Sequence, residues 1–338
     1  MKRNKNYHMQ EQMKFVAAIL FLLIFLPILL TLLLSGKKTF KFTQEREMEQ
    51  LLATMVYREI PDDCQVDMIC AQAVLVRSRV WLECEETGSQ KEVYKQILGE
   101  NVKYERSHDL DSEKLSQCKE AVQKTEGCML GYGGQVVEGP FCRASNGWTR
   151  GGKEVLGKDS YGWIVGVESK ADLDYEADRK PMAFTEDEIY EKLTGNIGFE
   201  RVDHDLENSA EVDNTVQSGN TELKDGDISG QIKKEGILDS ISVVTADSAG
   251  YATEVSVGEV RMSGESFRQA LGLPSASFTL VKEKNQLLFT CRGMGHGMGL
   301  SQYGADVMAE EGKSWRDILN YYFPNAQIIK EEKKPEHS

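Results

Sequence analysis

The chain has 338 residues, a hydrophobic fraction of 40% and a formal net charge of −14. This length is enough to bury a sizeable core in one large or two ordinary domains. The negative charge argues against nucleic acid, or an anionic membrane surface, as the main partner, because both are bound through clustered Lys and Arg side chains. The seven cysteines show no C-x-x-C spacing, so their pattern indicates neither a disulfide framework nor a ribbon-type zinc site.

An uncharged apolar run, Phe15–Leu34, is long enough to cross a hydrocarbon core of roughly 30 Å. Since no convincing A-x-A cleavage site follows it, we predict an uncleaved membrane anchor between a short cytoplasmic tail (1–14) and a linker (35–44). Basic residues flank the run on both sides, so the charge rule does not decide its orientation. We expect the large following domain to be translocated and to face the outside of the membrane.

The residues from Glu45 to about Glu85 carry apolar side chains at helical spacing, and Pro61 interrupts them. The pattern predicts two helices that meet at Glu59-Ile60-Pro61. Asp67 is a plausible cap for the second helix.

Two further helices are predicted at Lys91–Tyr104 and Asp111–Thr125. The segment 126–137 alternates as strands do, with Gly133-Gly134 as a hairpin turn. Trp163–Val167 is predicted to be a strand, and Thr185 carries the capping signal of a helix.

The stretch Asp203–Lys234 is rich in acidic and small polar residues, so burial cannot offset the entropy lost on ordering it. We interpret the region of about 203–235 as a mobile acidic insertion. Strands are expected afterwards at Ile241–Thr245, Ala252–Val257 and Glu259–Met262, followed by a helix capped by Ser263. The order of elements predicts an α+β fold, with a helical segment around Glu59 and antiparallel strands.

Glycine occupies every second position from 293 to 299, after a predicted hairpin at 277–291 and before a helix capped by Ser301. The run fits no nucleotide-binding glycine pattern as a whole. Glycines allow positive φ and close approach, so the run is either a ligand-facing loop or a tight crossing inside the fold. His296 lies at its centre and would be bonded to backbone in such a crossing.

Gly293–Ala305, with its Gly-His-Gly core and its Ser-Gln-Tyr-Gly-Ala segment, resembles the signature of the stage II sporulation protein D family. The Glu59-Ile60-Pro61 corner, the helix 71–78, the loop 141–149 and the closing segment 318–324 resemble further elements of that family. The resemblance covers about residues 45–330 without the acidic insertion. The chain departs from the family pattern at three positions, where Cys70 replaces a frequent lysine, Cys142 a usual histidine and Asn146 a glycine.

The resemblance implies a lytic transglycosylase that cleaves peptidoglycan glycan strands during septal thinning and engulfment in sporulation. Such an enzyme can work with one carboxyl group, because the C6 hydroxyl of the substrate is the nucleophile. Glu59 is the candidate acid and base, since partial burial beside a proline would raise its pKa. Arg77 could orient Glu59 or bind a sugar carboxylate. The candidate substrate-binding residues, each with core packing as its alternative, are Ser145, His296, Gln302 and Tyr303.

Two other functions stay open at this point. The family's other branch implies a non-catalytic peptidoglycan-binding module that stimulates a cell-wall amidase, and the changes at Cys70 and in the loop 141–149 favour it. A cysteine hydrolase using Cys142 or Cys291 with His296 would need the thiol and the base to meet in space. The implied partners are glycan strands, the membrane through residues 15–34, a cell-wall amidase and a membrane scaffold protein. We expect no tightly bound cofactor, zinc being the one candidate.

Overall fold

The computed structural model describes residues 48–175, 180–195 and 232–330. The predicted membrane span Phe15–Leu34, its flanking segments, most of the acidic insertion and the tail 331–338 lie outside the described residues. Within the described ranges, no helix combines the length and apolarity needed to cross a bilayer. The last residues of the predicted insertion are described, and Ile232 among them is buried in a hydrophobic core.

The helices, in chain order, are α1 (48–59), α2 (Val66–Thr87), α3 (Gln90–Ser107), α4 (Ser112–Lys124), α5 (Gly152–Leu156), α6 (Glu186–Gly195), α7 (Ile237–Ser240), α8 (Gly264–Leu271), α9 (Gln302–Glu310) and α10 (Trp315–Tyr322). The strands are β1 (Cys128–Tyr132), β2 (Gln135–Val136), β3 (Phe141–Cys142), β4 (Met182–Thr185), β5 (Ile241–Ala246), β6 (Ala252–Val257), β7 (Val260–Ser263), β8 (Phe278–Glu283), β9 (Gln286–Cys291), β10 (Leu300–Ser301) and β11 (Gln327–Lys330). Together they confirm the α+β prediction.

Helix α2 is the centre of the first core. Its residues from Met68 to Ser78 are all buried, and it packs against α3, α4, α9, α10 and β1. The predicted cap is wrong: Gln65 is the N-cap residue, while the Asp67 carboxylate accepts a hydrogen bond from Trp315 N at 2.9 Å. Asp67 therefore joins α2 to the start of α10 instead of closing its own helix.

A three-stranded sheet, in the order β11-β1-β2, covers one side of α2. The predicted hairpin is confirmed, because β1 and β2 pair antiparallel around Gly133 and Gly134, which have φ values of 59° and 83°. Strand β11, which the sequence pattern did not indicate, lies at the end of the described chain and pairs antiparallel with β1.

The prediction of a strand at Trp163–Val167 is wrong. These residues form turns and irregular backbone, with isolated backbone hydrogen bonds from Gly152 N to Ile164 O and from Thr149 N to Val167 O, each at 2.8 Å. Trp163 is buried, with its ring centroid 5.9 Å from that of Phe323. The apolar residues here contribute to the core from a segment of irregular backbone. A short apolar run in a sequence does not distinguish such a segment from a strand.

A second core lies between two antiparallel sheets, β4-β9-β8 and β5-β6-β7, and the helices α6 and α8. The predicted caps are confirmed here: the Ser263 hydroxyl accepts from Ser266 N at 3.0 Å, and Thr185 exchanges hydrogen bonds with Glu188. The Phe267 and Phe289 rings meet inside this core with centroids 5.9 Å apart.

The glycine run forms a tight crossing. Strand β10, directly after it, pairs parallel with β3, and Met294 pairs with Ala144. The glycines from 293 to 299 have φ values of 75°, 98°, 78° and 69°. A Cβ atom on Gly299 would lie 2.0 Å from Pro140 O, so only glycine lets the two backbones approach this closely.

We expect Gly299→Ala to lower the free energy of unfolding by clearly more than Gly258→Ala does. Both glycines have positive φ, but a Cβ on Gly258 meets nothing within 4 Å. The control should therefore lose only the backbone cost of about 1–2 kcal/mol. Urea unfolding of the purified variants measures the difference, and equal losses would contradict the crossing.

Candidate functional site

Glu59 is the last residue of α1, and its side chain is 20% exposed. Ile60 N still bonds to Val56 O at 3.1 Å, and Pro61 then ends the helical direction, as proline does. The following turn leads directly into α2. This corner holds the Glu59 carboxylate against the first turns of α2 while leaving part of it open to solvent.

Two side chains of α2 bind the Glu59 carboxylate. Gln72 Nε2 donates to one oxygen at 2.9 Å, and the Arg79 guanidinium forms an ion pair with the other. Gln72 and Arg79 are seven residues apart, about two helical turns, so they share one face of α2. Both carboxylate oxygens therefore have a donor whose position is fixed by the same helix.

A third contact comes from the end of the glycine motif. Gln302 Nε2 donates to the backbone carbonyl of Glu59 at 2.9 Å and to Gln72 Oε1 at 3.3 Å. Gln302 is buried, so its amide is engaged by protein groups on this side. The structure thus brings Glu59 and Gln302 together, and the amide of Gln302 faces the protein, which agrees with core packing, the alternative to sugar binding at this residue.

Arg77 lies elsewhere. Its guanidinium donates to Thr125 Oγ1 at 3.2 Å, to Cys128 O at 3.1 Å and to Val122 O at 3.0 Å, which ties α2 to the connection between α4 and β1. Residues 77 and 79 point about 200° apart around a helix. The guanidinium beside Glu59 is therefore that of Arg79, which the sequence analysis missed although the seven-residue spacing from Gln72 could have indicated it.

Ser145 is buried beside a carboxylate that the sequence did not point to. Asp172 accepts hydrogen bonds from Ser145 Oγ at 2.5 Å, from Ser145 N at 2.7 Å and from Ser301 Oγ at 2.7 Å. Burial raises the pKa of Asp172, against the effect of these hydrogen bonds. Asp172 therefore links the loop 141–149 to the start of α9, and the Ser145 hydroxyl is engaged inside the fold.

His296 is 2% exposed and sits inside the crossing. Its Nδ1 accepts from Met298 N at 3.0 Å, and its backbone carbonyl accepts from Arg150 at 3.1 Å. Burial, and then the charges of Arg150 and Arg268, lower the pKa of His296 to about 3. His296 is therefore a neutral imidazole that is hydrogen-bonded to backbone at the centre of the glycine run.

Arg150 carries the cation that supports this crossing. It forms a buried ion pair with Asp247 at 2.5 Å, and its guanidinium lies 4.7 Å from the centroid of the Tyr251 ring. Asp247 is itself fixed, because it accepts from Tyr251 N at 2.9 Å. The pair therefore connects the glycine run to the turn that follows β5 through buried charges that satisfy each other.

Tyr303 is half-buried in the first turn of α9, directly after Gln302. Its ring packs edge-on against that of Tyr175 at 5.3 Å, and the Tyr175 hydroxyl contacts Met294 Sδ at 3.4 Å. Met294 is 40% exposed. We name Tyr175, Met294 and Tyr303 the aromatic surface. It joins the first turn of α9 to the glycine run.

The thiol of Cys142 is buried against the glycine run. Burial, together with the charge of Asp172, raises its pKa, so the nucleophilic thiolate is disfavoured. Cys291 is buried as well. This environment gives no support to a cysteine hydrolase. In the described part of the chain, no three His, Cys, Asp or Glu side chains converge as metal ligands would.

We expect the buried, neutral His296 to make stability fall with acid. Its pKa in the fold is below the ordinary value of about 6.5, so the unfolded chain binds a proton that the folded chain does not. This contribution is complete above pH 6.5 and is lost as the pH falls towards 3, by up to about 1.4 kcal/mol per pH unit.

His296→Asn, which keeps an acceptor near the position of Nδ1, should flatten the dependence of unfolding free energy on pH between 6.5 and 4. His108→Asn is the matched control, because His108 is exposed at the end of α3. Denaturant unfolding at several pH values measures both. An unchanged slope in His296→Asn would contradict the buried neutral imidazole.

The sequence was compared with families and proteins that are already known. The family model described as Stage II sporulation protein matches residues 36–132, which include Glu59 and all of α2. The chain is 26% identical over 294 residues to stage II sporulation protein D of Bacillus subtilis (strain 168), covering 83% of this chain and 74% of that protein. It is 28% identical over 219 residues to the protein of the same name from Bacillus amyloliquefaciens, covering 64% of this chain and 52% of the other.

A further relative is the amidase enhancer of Bacillus subtilis (strain 168), 25% identical over 239 residues, which are 63% of this chain and 32% of that protein. The chain thus spans about a third of the amidase enhancer and about half of the second sporulation protein. The resemblance first seen in the glycine motif and the Glu59 corner is confirmed: this chain is similar to proteins of the stage II sporulation protein D family.

Proposed function

We propose that this protein is a lytic transglycosylase that cleaves the glycan strands of peptidoglycan during sporulation. The observation that carries the proposal is the Glu59 carboxylate, which is partly open to solvent and held by Gln72 and Arg79, with Gln302 on its backbone. The names of the two sporulation relatives support sporulation as the process in which the protein acts. A single fixed carboxyl group is what intramolecular closure of a sugar requires.

The reaction has two proton transfers through Glu59. The protonated carboxyl gives its proton to the glycosidic oxygen, and the bond from that oxygen to C1 breaks. The resulting carboxylate takes the proton of the C6 hydroxyl, whose oxygen then forms the new bond to C1. The products are a strand ending in a 1,6-anhydro sugar and a strand with a free hydroxyl, and Glu59 is protonated again.

Arg79 has a role in this cycle that follows from its position. After the first transfer Glu59 is an anion, and the adjacent guanidinium stabilises that charge. Gln72 donates to the other carboxylate oxygen, so the side chain keeps its orientation while its proton leaves and returns. Because these donors are fixed by α2 before the substrate binds, little reorganisation is needed during the reaction.

The aromatic surface is suited to hold a glycan strand next to Glu59. Sugar rings present apolar faces, and exposed aromatic side chains offer area for stacking together with a polar edge. Tyr303 follows Gln302, whose amide binds the Glu59 carbonyl, so we propose that a strand lying on Tyr303 and Tyr175 extends towards Glu59. His296 and Ser145 are buried and would support this surface from inside the fold.

The proposal places the domain outside the membrane, anchored through Phe15–Leu34, where peptidoglycan is found. A cell-wall amidase acting on the same strands is the partner we propose, in keeping with the name of the amidase enhancer relative. Amidase stimulation without glycan cleavage is the other function of this class, and the experiment below separates the two. We propose a membrane scaffold protein as a further partner.

We expect Glu59→Gln to lower turnover by at least the roughly 10²- to 10⁴-fold that general acid and base catalysis contributes. The amide keeps the shape of the side chain but cannot exchange the proton. Binding of the glycan should persist. The measurement is mass spectrometry of products from purified glycan strands, with and without stem peptides, and the unmutated protein should give anhydro-ended sugars.

Glu259→Gln is the matched control, since Glu259 is exposed in the turn between β6 and β7, and it should keep full activity. Reducing-end products would show water attack and contradict the one-carboxyl mechanism. If the unmutated protein makes no glycan product but accelerates a purified amidase, the amidase-stimulating function is the correct one.

We further expect the purified protein to hold no stoichiometric zinc. Cys142 is the soft ligand nearest the loop where a metal would sit, but its burial disfavours the thiolate that zinc requires. Elemental analysis of the protein and of Cys142→Ser measures this. One zinc per chain that disappears in Cys142→Ser would refute the expectation.

A further inference from the structure

An exposed indole stands at the end of the loop 141–149. Trp148 is 51% exposed, more than any other large aromatic side chain of the described residues. It forms an isolated antiparallel bridge with Glu168, and the backbone hydrogen bonds on either side of this bridge are both 2.8 Å long. Two residues that face each other between such bonds carry their side chains on the same side of the pair, with Cβ atoms about 4.5–5.5 Å apart. The bridge therefore sets the side chains of Trp148 and Glu168 next to each other.

Two further exposed apolar side chains border this pair. Leu173 is 45% exposed and packs on the loop, because a Cβ atom on Gly147 would lie 2.8 Å from Leu173 Cδ2. Tyr321 is 44% exposed, and its hydroxyl donates to Glu168 O at 2.7 Å. We name Trp148, Glu168, Leu173 and Tyr321 the Trp148 patch.

The patch also presents hydrogen-bonding groups to solvent. The side chain of Glu168 is 40% exposed, and that of Lys170, whose Nζ lies 3.4 Å from a Glu168 carboxylate oxygen, is 77% exposed. An exposed ion pair of this kind contributes little to stability. Its acceptors and donors are therefore available to a ligand that lies on the indole.

The backbone that carries Trp148 is fixed before any ligand binds. Asn146, one of the positions at which the chain departs from the family pattern, accepts from Trp148 N at 3.2 Å through its Oδ1. Its Nδ2 donates to Ala249 O at 2.7 Å and to Ser277 Oγ at 2.9 Å, which ties the loop to residues after β5 and before β8. A surface that is already ordered loses little conformational entropy when it binds.

The chemistry of the patch fits a sugar better than a protein partner. A pyranose ring has an apolar face that packs on an aromatic ring, and hydroxyl groups at its edge that need acceptors and donors. Trp148 supplies the aromatic ring, while Glu168 and Lys170 supply the polar groups. Charged side chains are depleted in the cores of protein interfaces, whereas here a carboxylate side chain lies next to the central aromatic residue.

The Trp148 patch adjoins the aromatic surface. The short 3₁₀ helix Lys170–Asp174 carries Leu173 and leads directly to Tyr175 of the aromatic surface. The loop that carries Trp148 also pairs with Met294 of that surface. The two surfaces therefore border the same loop and the same short helix, so one ligand of sufficient length can contact both.

We propose that the Trp148 patch is a second glycan-binding site, which holds a sugar of the strand other than the two at the bond to be cleaved. The inference rests on the proposed transglycosylase function and deepens it, since it makes long glycan strands the preferred substrate class. The preference arises because a second contact on the same strand is intramolecular once the first has formed.

Binding measured as a function of strand length tests the proposal. The probes are size-fractionated, peptide-free glycan strands and a tetrasaccharide of the same sugars, and the protein is full-length Glu59→Gln, which binds without turnover. In this background Trp148→Ala should lower the affinity for long strands by about 3- to 10-fold, because the stacking contact is lost. The affinity for the tetrasaccharide should fall by less. An equal loss for both lengths, or no loss for either, would overturn the proposal.

Trp148→Phe keeps a flat apolar ring, so it should retain most of the affinity for long strands. A phenylalanine variant as weak as Trp148→Ala would contradict stacking on the ring. Val281→Ala is the matched control, because Val281 is 56% exposed on β8 and its truncation removes exposed apolar area outside the patch. A loss in this control equal to that in Trp148→Ala would also overturn the proposal.

A protein partner is the other outcome of the test. If Trp148→Ala leaves binding to long strands unchanged but abolishes the acceleration of a purified amidase, the patch contacts a protein and the glycan site is wrong.

Cleavage by the protein that retains Glu59 separates the remaining failures. Loss of length-dependent affinity in Trp148→Ala, combined with no cleavage of any strand, would leave the second binding site standing and reject the proposed transglycosylase function. Cleavage combined with a length dependence that Trp148→Ala does not change would keep that function and reject the site.

Discussion

The close approach of two backbone segments, residues 140–145 and residues 293–299, is the constraint on which the rest of the structure depends. Gly293 and Gly299 lie so near Ser145 and Pro140 that a Cβ atom at either position would overlap backbone atoms. The crossing pairs β3 with β10 and brings Ser301 onto the Asp172 carboxylate. It thereby sets where α9 begins, and it buries polar groups that must find partners within the protein.

The position of Glu59 follows from that constraint. Because α9 begins where the crossing ends, its first residue, Gln302, reaches the Glu59 carbonyl, 243 positions away in the chain. The same amide contacts Gln72 on α2, which binds the Glu59 carboxylate. Gln302 of the glycine motif therefore acts on the chemistry through hydrogen bonds to the protein, and its substitution would disturb the proposed acid and base without touching the substrate.

Two ion pairs have specific structural roles in this chain, whose formal net charge is −14. The buried pair of Arg150 and Asp247 is satisfied by neighbouring groups and joins the glycine run to the second core. The ion pair of Arg79 and Glu59 is different, because the side chain of Arg79 is 35% exposed and that of Glu59 is 20% exposed. A buried pair gives a fixed structure, whereas a partly exposed pair leaves its carboxylate within reach of solvent.

The sequence by itself determined the α+β class, most helix and strand positions, the caps at Ser263 and Ser301, and Glu59 as the residue at the corner before Pro61. These features depend on residues close together in the chain, which is why local patterns were sufficient. Only the tertiary structure decided that Arg79 and not Arg77 pairs with Glu59, that Gln302 faces the protein, and that Trp163–Val167 forms no strand. It also identified Asp172. Each of these outcomes depends on which distant segment packs against a side chain, and no periodicity or spacing in the sequence encodes that choice directly.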